Sequence, residues 1–340
     1  MEKSIFDTVK LPYLKLKNRI IRSATWEALA KPDGSPSTPQ IEIYRELAAG
    51  GVGGIIAGFT SVAEDDNYFY GMARLSSDAL IKPWSQVTSA AHQYDCPILT
   101  QLALGEYRQN GKAYEPNEAV AGQIKEIINL FGEAARRAKA AGFDGVQIHA
   151  AHNFYLSRFI SPAYNHRQDQ YGGTTEGRAK ILLDILKTIR QKAPGIHVTI
   201  KINCSDFMCG GLESDESLKI CQILSQAGLD SIEVSGNGTS VSGIRAGQNE
   251  GYFLPFAQAL RKTCPVPIIL VGGHRSLTCM NRIINEDNID LLSLSRPLIR
   301  EPELIQRWQQ GDTAPAACIS CNSCYHTPGH RCLFVLRKTK

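Results

Sequence analysis

Eight short apolar runs recur along this chain of 340 residues, and their repetition constrains the fold more than any other feature. Polar or glycine-rich loops and amphipathic segments separate them; residues 124–141, 175–192 and 212–227 carry apolar side chains at helical spacing. Apolar strands that alternate with helices are typical of buried parallel strands. The runs are residues 20–24, 54–58, 97–102, 145–149, 198–203, 231–235, 267–271 and 291–294.

This pattern predicts an α/β fold, a (β/α)8 TIM barrel with a short C-terminal cysteine-rich appendage. The alternative is an open doubly wound sheet, which normally carries a glycine fingerprint after its first strand. Here that position reads Ser23-Ala24-Thr25-Trp26, without glycine. We therefore predict a barrel over residues 1–312 and a cysteine-rich segment over residues 313–340 packed on it.

Charge and cysteine usage limit the classes of partner. The net charge is +4 with both signs interspersed, whereas a nucleic-acid-binding chain would have a denser basic face. No apolar run approaches the roughly 20 residues needed to cross a bilayer, and the first ten residues lack the apolar core of a secretory signal. Ten cysteines without such a signal are typical of a reducing compartment. We expect a cytoplasmic protein with no nucleic-acid or membrane partner.

Polar side chains lie at the carboxyl ends of several predicted strands, where barrels carry their chemistry. Gln101, His149 and Lys201 place an amide, an imidazole and an amine at this end. A purely structural face has no need for these three groups together. Their convergence indicates a ligand pocket.

His149 and His152 follow the fourth strand as His-Ala-Ala-His, and three interpretations compete. Histidines at this spacing can bind a metal, but no third ligand at a recognisable zinc spacing accompanies them. Two neutral imidazoles could instead donate hydrogen bonds to a carbonyl or nitro oxygen, which would polarise the substrate for hydride addition at its β-carbon. In the third interpretation, the histidines only satisfy loop carbonyls.

The last two strands end in residues that suit a phosphate. Gly272-Gly273 and Ser295-Arg296 stand where barrels commonly bind phosphate through backbone amides and an arginine fork. A tight turn and a surface ion pair are the alternatives. Lys201 ends an otherwise apolar strand, and buried lysines are rare unless paired. Its partner could be an electron-rich ring, such as the N1–C2 carbonyl edge of a flavin, or a substrate carbonyl in a Schiff base, as in barrel aldolases.

The stretch from His149 to Pro162, followed by Asn165-His-Arg167 and Tyr171-Gly-Gly173, resembles the signature of the old yellow enzyme family. Members of this family are FMN-dependent (β/α)8 oxidoreductases. The resemblance implies that NAD(P)H reduces FMN at the barrel mouth and that His149 and His152 grip the substrate oxygen. It also implies a set of FMN contacts, in which the first seven residues face the ring and the last four hold the phosphate: Ala24, Thr25, Trp26, Gly58, Phe59, Gln101, Lys201, Gly272, Gly273, Ser295 and Arg296.

Three positions depart from the family pattern. Phe154 stands where the family usually has its proton-donating tyrosine, and Tyr155 follows immediately. Either Tyr155 is the catalytic acid, or it is ordinary packing and water protonates, or the substrate differs. Lys201 replaces an arginine found in many members and loses its planar fork. Trp26 stands where relatives often have cysteine or threonine, so their flavin potentials do not transfer.

Four of the ten cysteines crowd the C-terminal end as Cys-x2-Cys-x2-Cys with a fourth beyond. This spacing is similar to the cluster segment of the enoate reductase and trimethylamine dehydrogenase branch, which implies a [4Fe–4S] cluster. A zinc site that includes His326 or His330, or an unloaded remnant, are the alternatives. The gap before the fourth cysteine is shorter than in that branch. The metal-ligand candidates are Cys318, Cys321, Cys324 and Cys332.

The combined prediction is an FMN-dependent NAD(P)H oxidoreductase that transfers hydride to an electron-poor C=C of a small unsaturated substrate, as ene-reductases and enoate reductases do. We expect a homo-oligomer. One alternative is a flavoprotein for electron transfer or sensing, with an external electron-transfer protein as partner. The other is an aldolase-like barrel enzyme that forms a Schiff base through Lys201.

Overall fold

The computed structural model describes residues 2–238 and 240–337, so the end of the predicted C-terminal segment, residues 338–340, lies outside the described residues. Its strands, in chain order, are β1 (Val9–Leu11), β2 (Leu14–Leu16), β3 (Ile20–Arg22), β4 (Gly54–Ser61), β5 (Ala73–Arg74), β6 (Ile98–Ala103), β7 (Tyr107–Gln109), β8 (Lys112–Tyr114), β9 (Gly145–Ala150), β10 (His197–Asn203), β11 (Ser231–Ser235), β12 (Ile268–Leu270) and β13 (Leu291–Leu294). Its α-helices are α1 (Thr38–Ala49), α2 (Ile81–His92), α3 (Ala121–Ala140), α4 (Tyr155–Ile160), α5 (Thr175–Lys192), α6 (Ser214–Gln226), α7 (Leu254–Thr263), α8 (Leu277–Glu286), α9 (Arg296–Arg300), α10 (Leu304–Gln309) and α11 (Leu333–Leu336).

Eight parallel strands close into a barrel in the order β3, β4, β6, β9, β10, β11, β12 and β13. The closure joins the first and last strands, because Ser293 of β13 pairs with Ile21 of β3, while Ile21 also pairs with Gly54 of β4. Each of the eight predicted runs overlaps one of these strands. The predicted (β/α)8 barrel is therefore confirmed.

The predicted helices differ from the observed ones only at their ends. Helix α5 has the predicted bounds, whereas α3 begins three residues before the predicted start. The Gln123 side chain accepts a hydrogen bond from the Val120 N–H at 2.9 Å, which stabilises a first turn that has no apolar periodicity. Helix α6 begins two residues later than predicted, because the Leu212 N–H is held by the Asp206 carboxylate at 2.9 Å.

The β1–β2 hairpin covers the amino-terminal end of the barrel. Leu11, Leu14 and Leu16 pack against a cluster of buried strand residues that includes Ile21 and Ile56. This apolar plug closes one end, so the opposite, carboxyl end of the strands is where a ligand can enter. None of the described helices has the length and apolar character that a membrane crossing requires.

The C-terminal segment, residues 313–337, runs back over the carboxyl end of the barrel, and hydrogen bonds of Arg275, Arg296 and His330 are among those that anchor it there. Arg275 Nε donates to the Cys318 carbonyl at 3.0 Å, and Arg275 Nη2 donates to Ser320 Oγ at 2.6 Å. Arg296 Nη1 donates to Asn322 Oδ1 at 2.6 Å. His330 Nδ1 lies 2.6 Å from the Trp26 carbonyl, and because a carbonyl only accepts, this nitrogen carries the proton.

Candidate active site

A cavity of about 230 Å³ opens at the carboxyl ends of the barrel strands. Three of its described lining residues are cationic, namely Lys201, Arg275 and Arg296. No Asp or Glu is among the described residues that line it. The cavity therefore suits an anionic ligand. The structure brings eleven of the predicted site residues to its wall: Ala24, Thr25, Trp26, Phe59, Gln101, His149, His152, Lys201, Gly273, Ser295 and Arg296. Gly58, Gly272 and Tyr155 are not among the lining residues.

The two histidines reach the cavity through an unusual turn after β9. His152 and Asn153 have φ values of 63° and 64°, in the left-handed region that non-glycine residues rarely adopt. Asn203 Oδ1 accepts the His152 N–H at 3.0 Å, and Ser157 Oγ accepts the Asn153 N–H at 3.3 Å. These bonds stabilise the turn and place the His149 and His152 rings with their centroids 5.2 Å apart.

Both histidines are neutral at pH 7. Burial, and then the neighbouring His152 and Lys201 charges, hold the pKa of His149 well below its usual range, and burial and Lys201 lower the pKa of His152 to about 3. His152 Nε2 lies 2.8 Å from Ser235 Oγ, and His149 Nδ1 is buried with no partner among the described residues. A neutral imidazole carries one N–H, so each histidine can donate one hydrogen bond.

Lys201 lies on the cavity floor in a buried polar network. Its Nζ donates to Ser23 Oγ at 2.8 Å and lies 3.3 Å from Glu233 Oε2. Glu233 was not predicted as a site residue, although a signal existed: it stands inside an apolar strand, directly beside Lys201 in the β10–β11 register. The Lys201 amine is thus held by an ion pair and a hydrogen bond, whereas Schiff-base formation needs an amine that is free to attack a carbonyl.

The predicted phosphate end also contains an arginine that the sequence analysis missed. Gly273 has φ 83°, and a Cβ there would lie 2.9 Å from the Tyr252 ring, so both backbone and space require glycine. Arg275 follows two residues later and is buried against the C-terminal segment. A cationic residue so close to two glycines was the sequence signal that could have identified it as a phosphate ligand. Gly272 instead uses its carbonyl to accept the Gly251 N–H at 2.6 Å.

Aromatic rings form one wall of the cavity. Trp26 stacks on Phe69 with centroids 4.3 Å apart, and Phe154 contacts Phe59, Phe69 and His149 at 4.9, 5.6 and 5.0 Å. Trp26 Nε1 is buried with no partner in the described part of the chain. Phe69 was missed because it lies in a loop with no helical or strand periodicity. This wall suits a planar apolar group.

Tyr155 does not reach the cavity. It is fully buried at the start of α4 and packs against the Tyr107 and Phe159 rings, with centroids 6.3 and 6.2 Å away. Burial raises the pKa of its hydroxyl, which has no hydrogen-bond partner among the described residues. Its position corrects the interpretation of Tyr155 as the catalytic acid and agrees with the packing alternative.

We expect Tyr155→Phe to leave kcat unchanged and to raise the free energy of unfolding by about 1 kcal/mol, because it removes a buried hydroxyl that makes no hydrogen bond. Turnover and denaturant unfolding of the same preparation measure the two effects. A fall in kcat without loss of stability would show that Tyr155 is the catalytic acid.

The four C-terminal cysteines are not arranged as a metal site. Cys318 Sγ lies 3.8 Å from an Arg275 amino nitrogen, and Cys332 Sγ lies 3.5 Å from an Arg300 amino nitrogen. Each of these two sulfurs therefore lies beside a different arginine. Within residues 2–238 and 240–337, no group of three or more His, Cys, Asp or Glu is placed to hold a metal ion. The predicted [4Fe–4S] cluster and the zinc alternative therefore do not fit this arrangement, and we assign no metal to it.

The family model of the NADH:flavin oxidoreductase / NADH oxidase family matches residues 4–119 and 103–314. The chain belongs to this family. The resemblance to the old yellow enzymes is thereby confirmed, and the chain is a flavin-dependent oxidoreductase of that type. Family membership accounts for the barrel and for the placement of the site residues at its carboxyl end.

The similarity to individual members of the NADH:flavin oxidoreductase family is distant but extends over nearly the whole chain. This chain is 28% identical to a 4,4'-dithiodibutanoate disulfide reductase from Rhodococcus erythropolis, over 97% of its own length and 94% of that protein. It is also 28% identical to a cinnamate reductase from Clostridium sporogenes, over 94% of this chain but only 55% of that protein. The chain thus spans about half the length of several relatives.

Solved structures share the fold. A 2-naphthoyl-CoA reductase in complex with 2-naphthoyl-CoA superposes with a TM-score of 0.86 at 22% identity, over 95% of this chain and 54% of that one. An old yellow enzyme homologue from Zymomonas mobilis gives a TM-score of 0.76 at 21% identity, over 93% and 95% of the two chains.

Proposed function

We propose that this chain is an FMN-dependent NAD(P)H oxidoreductase that reduces an electron-poor C=C bond conjugated to a carbonyl or nitro group. The observation that carries the proposal is the pair of neutral imidazoles, His149 and His152, in a cationic cavity. Relatives named cinnamate reductase, NADH oxidase and NADPH dehydrogenase support the same reaction class.

The described residues fit FMN. Gly273 leaves space beside Tyr252 that a Cβ would fill, and Arg296 stands next to it as the cation for a phosphate. Lys201 would supply a buried positive charge to the ring, and Gln101 would supply an amide. The unpartnered Trp26 Nε1 is a donor available to a polar ligand atom.

Within this proposal, bound FMN supplies the hydride transfer, and the chain supplies binding and polarisation. His149 and His152 each donate an N–H to the substrate oxygen, so electron density is drawn away from the C=C bond. Since both stay neutral, they polarise the substrate by hydrogen bonding without carrying a charge themselves. The aromatic wall holds the planar apolar part of the substrate against the cavity.

The proton that completes the reduction comes from water in this proposal. Phe154 has no exchangeable proton, and Tyr155 is packed in the core. The cavity is open to solvent at the barrel mouth, so a water molecule can reach the substrate. A slow proton transfer from water would favour substrates whose reduced form is a stabilised anion.

The two alternative functions, a Schiff-base enzyme and an electron-transfer flavoprotein, have weaker support than the proposed reduction of a C=C bond. A Schiff-base enzyme needs a free amine, whereas Lys201 is ion-paired with Glu233. A flavoprotein for electron transfer with an external protein partner has no specific observation in its favour among the described residues. The proposed substrate is a small molecule, and the homo-oligomer remains a prediction.

An anaerobic assay tests the function. We expect a yellow protein that consumes NADH or NADPH in proportion to an added enone, with one equivalent of saturated product per nicotinamide. Flavin reduction that passes electrons only to a protein acceptor would contradict the proposal and favour electron transfer. A colourless protein that borohydride traps on a substrate through Lys201 would favour the Schiff-base enzyme.

A further inference from the structure

A buried carboxylate, Glu233, lies under the cavity floor and takes no part in the proposed reaction. It is fully buried on β11, and both of its oxygens are satisfied. Ser23 Oγ and Ser293 Oγ donate to Oε1 at 2.8 and 2.6 Å. Gln147 Nε2 donates to Oε2 at 2.7 Å, and Lys201 Nζ lies 3.3 Å from the same oxygen. Four donors around one buried carboxylate indicate a built charge site.

Glu233 fixes the direction of the hydrogen bonds that lead to the cavity. An ionised carboxylate only accepts, so Gln147 must present its Nε2 to Glu233 and its Oε1 to Gln101. Gln101 must then donate through Nε2, at 2.8 Å, which leaves its Oε1 as the group available to a ligand. On the other side, Ser23 donates to Glu233 and accepts from Lys201.

The carboxylate also balances charge. Lys201 and Gln101 line the cavity, whereas Glu233 lies behind them, next to Lys201 in the strand register. A buried ammonium alone would present a full positive charge to the ligand, and in a low-dielectric interior this charge acts strongly. With Glu233 3.3 Å behind it, the pair presents a dipole with little net charge.

We propose that Glu233 is a positioning residue that sets the reduction potential of the bound flavin, by orienting Lys201 and Gln101 and by offsetting the charge of Lys201. This inference rests on the proposed function in that FMN occupies the cavity. Reduced FMN carries more negative charge at the N1–C2 edge than oxidised FMN. The ammonium of Lys201 therefore favours the reduced form, and the carboxylate of Glu233 opposes that preference.

A redox titration of the holoenzyme with an indicator dye tests the charge balance. In Glu233→Gln, which keeps the shape and loses the charge, the ratio of affinities for reduced over oxidised FMN is expected to rise at least tenfold. For a two-electron couple, this is a potential about 30 mV more positive. Lys201→Met is expected to shift the potential at least as far in the negative direction.

Ser293→Ala is the matched control, because it removes one hydrogen bond to the same carboxylate without changing its charge. It is expected to change the affinity ratio less than threefold. Glu233→Asp keeps the charge and is expected to retain a potential close to that of the unmodified protein. An unchanged potential in Glu233→Gln, or an equal shift in Ser293→Ala, would overturn the proposal.

If Glu233→Gln alone does not fold, the same redox titration is carried out on the double variant Glu233→Gln/Lys201→Met. This variant leaves neither member of the pair buried without its partner, and both charges disappear together. Its affinity ratio is expected within threefold of the unmodified protein. A shift as negative as that of Lys201→Met alone would show that Glu233 exerts no influence on the flavin.

The potential is measured without any alkene, so the two proposals fail separately. A flavoprotein that shows the charge-dependent shift but reduces no alkene would contradict the proposed reaction and support the role of Glu233. Enone turnover with a potential insensitive to Glu233→Gln would do the reverse. A protein that binds no FMN would overturn both.

Discussion

Replacing His149 and His152 together by Ala is expected to lower kcat/KM for an enone by roughly 10³-fold, because the substrate oxygen loses both hydrogen-bond donors. One donor to a developing negative oxygen typically contributes about 10²- to 10³-fold. We expect KM to rise and kcat to fall, since the donors bind the ground state and stabilise negative charge on the oxygen as hydride arrives. Anaerobic steady-state kinetics over a range of enone concentrations measures both constants.

Flavin content and a distant histidine provide the controls for this experiment. The double variant is expected to retain FMN with an unchanged visible spectrum. His166 is exposed outside the cavity, and His166→Ala is expected to leave both constants unchanged. Loss of FMN from a folded double variant would show that the two histidines are flavin contacts instead of substrate contacts.

Acid is expected to destabilise the protein because several buried histidines stay neutral in the fold. Burial lowers the pKa of His152 to about 3 and that of His274 to about 4, whereas in the unfolded chain both have the ordinary histidine pKa of about 6.5. The unfolded state therefore binds more protons, and stability falls as pH decreases. Between pH 7 and 5 each contributes a loss of about 2 kcal/mol, at about 1.4 kcal/mol per pH unit for each fully transferred proton.

Other buried groups modify this loss in known directions. Burial also lowers the pKa values of His149 and His197, which adds to the loss. Glu27 opposes it by about 2 kcal/mol, because burial raises its pKa to about 7 and the folded state takes up a proton as pH falls. Burial also raises the pKa of Asp66, and the hydrogen bond to Asp144 raises that of His92, so both groups act against the loss. The free energy of unfolding is thus expected to fall by about 2 kcal/mol from pH 7 to 5.

Urea unfolding at pH 7, 6 and 5 with a fixed FMN concentration measures this dependence. His274 Nε2 donates to the carbonyl of Leu270, the last residue of β12, at 3.0 Å. His274→Gln is expected to reduce the loss between pH 7 and 5 by about 2 kcal/mol. Equal stability of the unmodified protein at pH 5 and 7 would contradict the neutral state of the buried histidines.

Much of the fold could be predicted because buried parallel strands leave a strong signal. Both faces of such strands are apolar, so each run stands out against polar loops, and eight runs of this kind favour a barrel. The strand ends were less predictable. Strand β4 continues to Ser61, three residues beyond the predicted end, because Thr60 and Ser61 pair with the neighbouring β6, and pairing is not visible in one strand alone.

The site was predictable where function lies at strand ends and unpredictable where it depends on folding in three dimensions. His149, Lys201 and Gln101 lie in the carboxyl-terminal halves of their strands and were identified. Glu233 stands in mid-strand, so its role depends on the register with β10. Tyr325 and His330 line the cavity although they are more than 170 residues from His149 in sequence, and no local pattern encodes that approach.

The joining of β3 to β13 has a consequence for synthesis of the chain. When β3 leaves the ribosome it can pair with β4, but its other edge has no partner until residues 291–294 are made. Arg296 and the anchors of residues 313–337 follow later still. A nascent chain therefore cannot complete the cavity before β13 and the anchoring residues that follow it have been translated. Flavin capture during synthesis would report that these residues have emerged, and a chain truncated before β13 would expose an open sheet edge to aggregation.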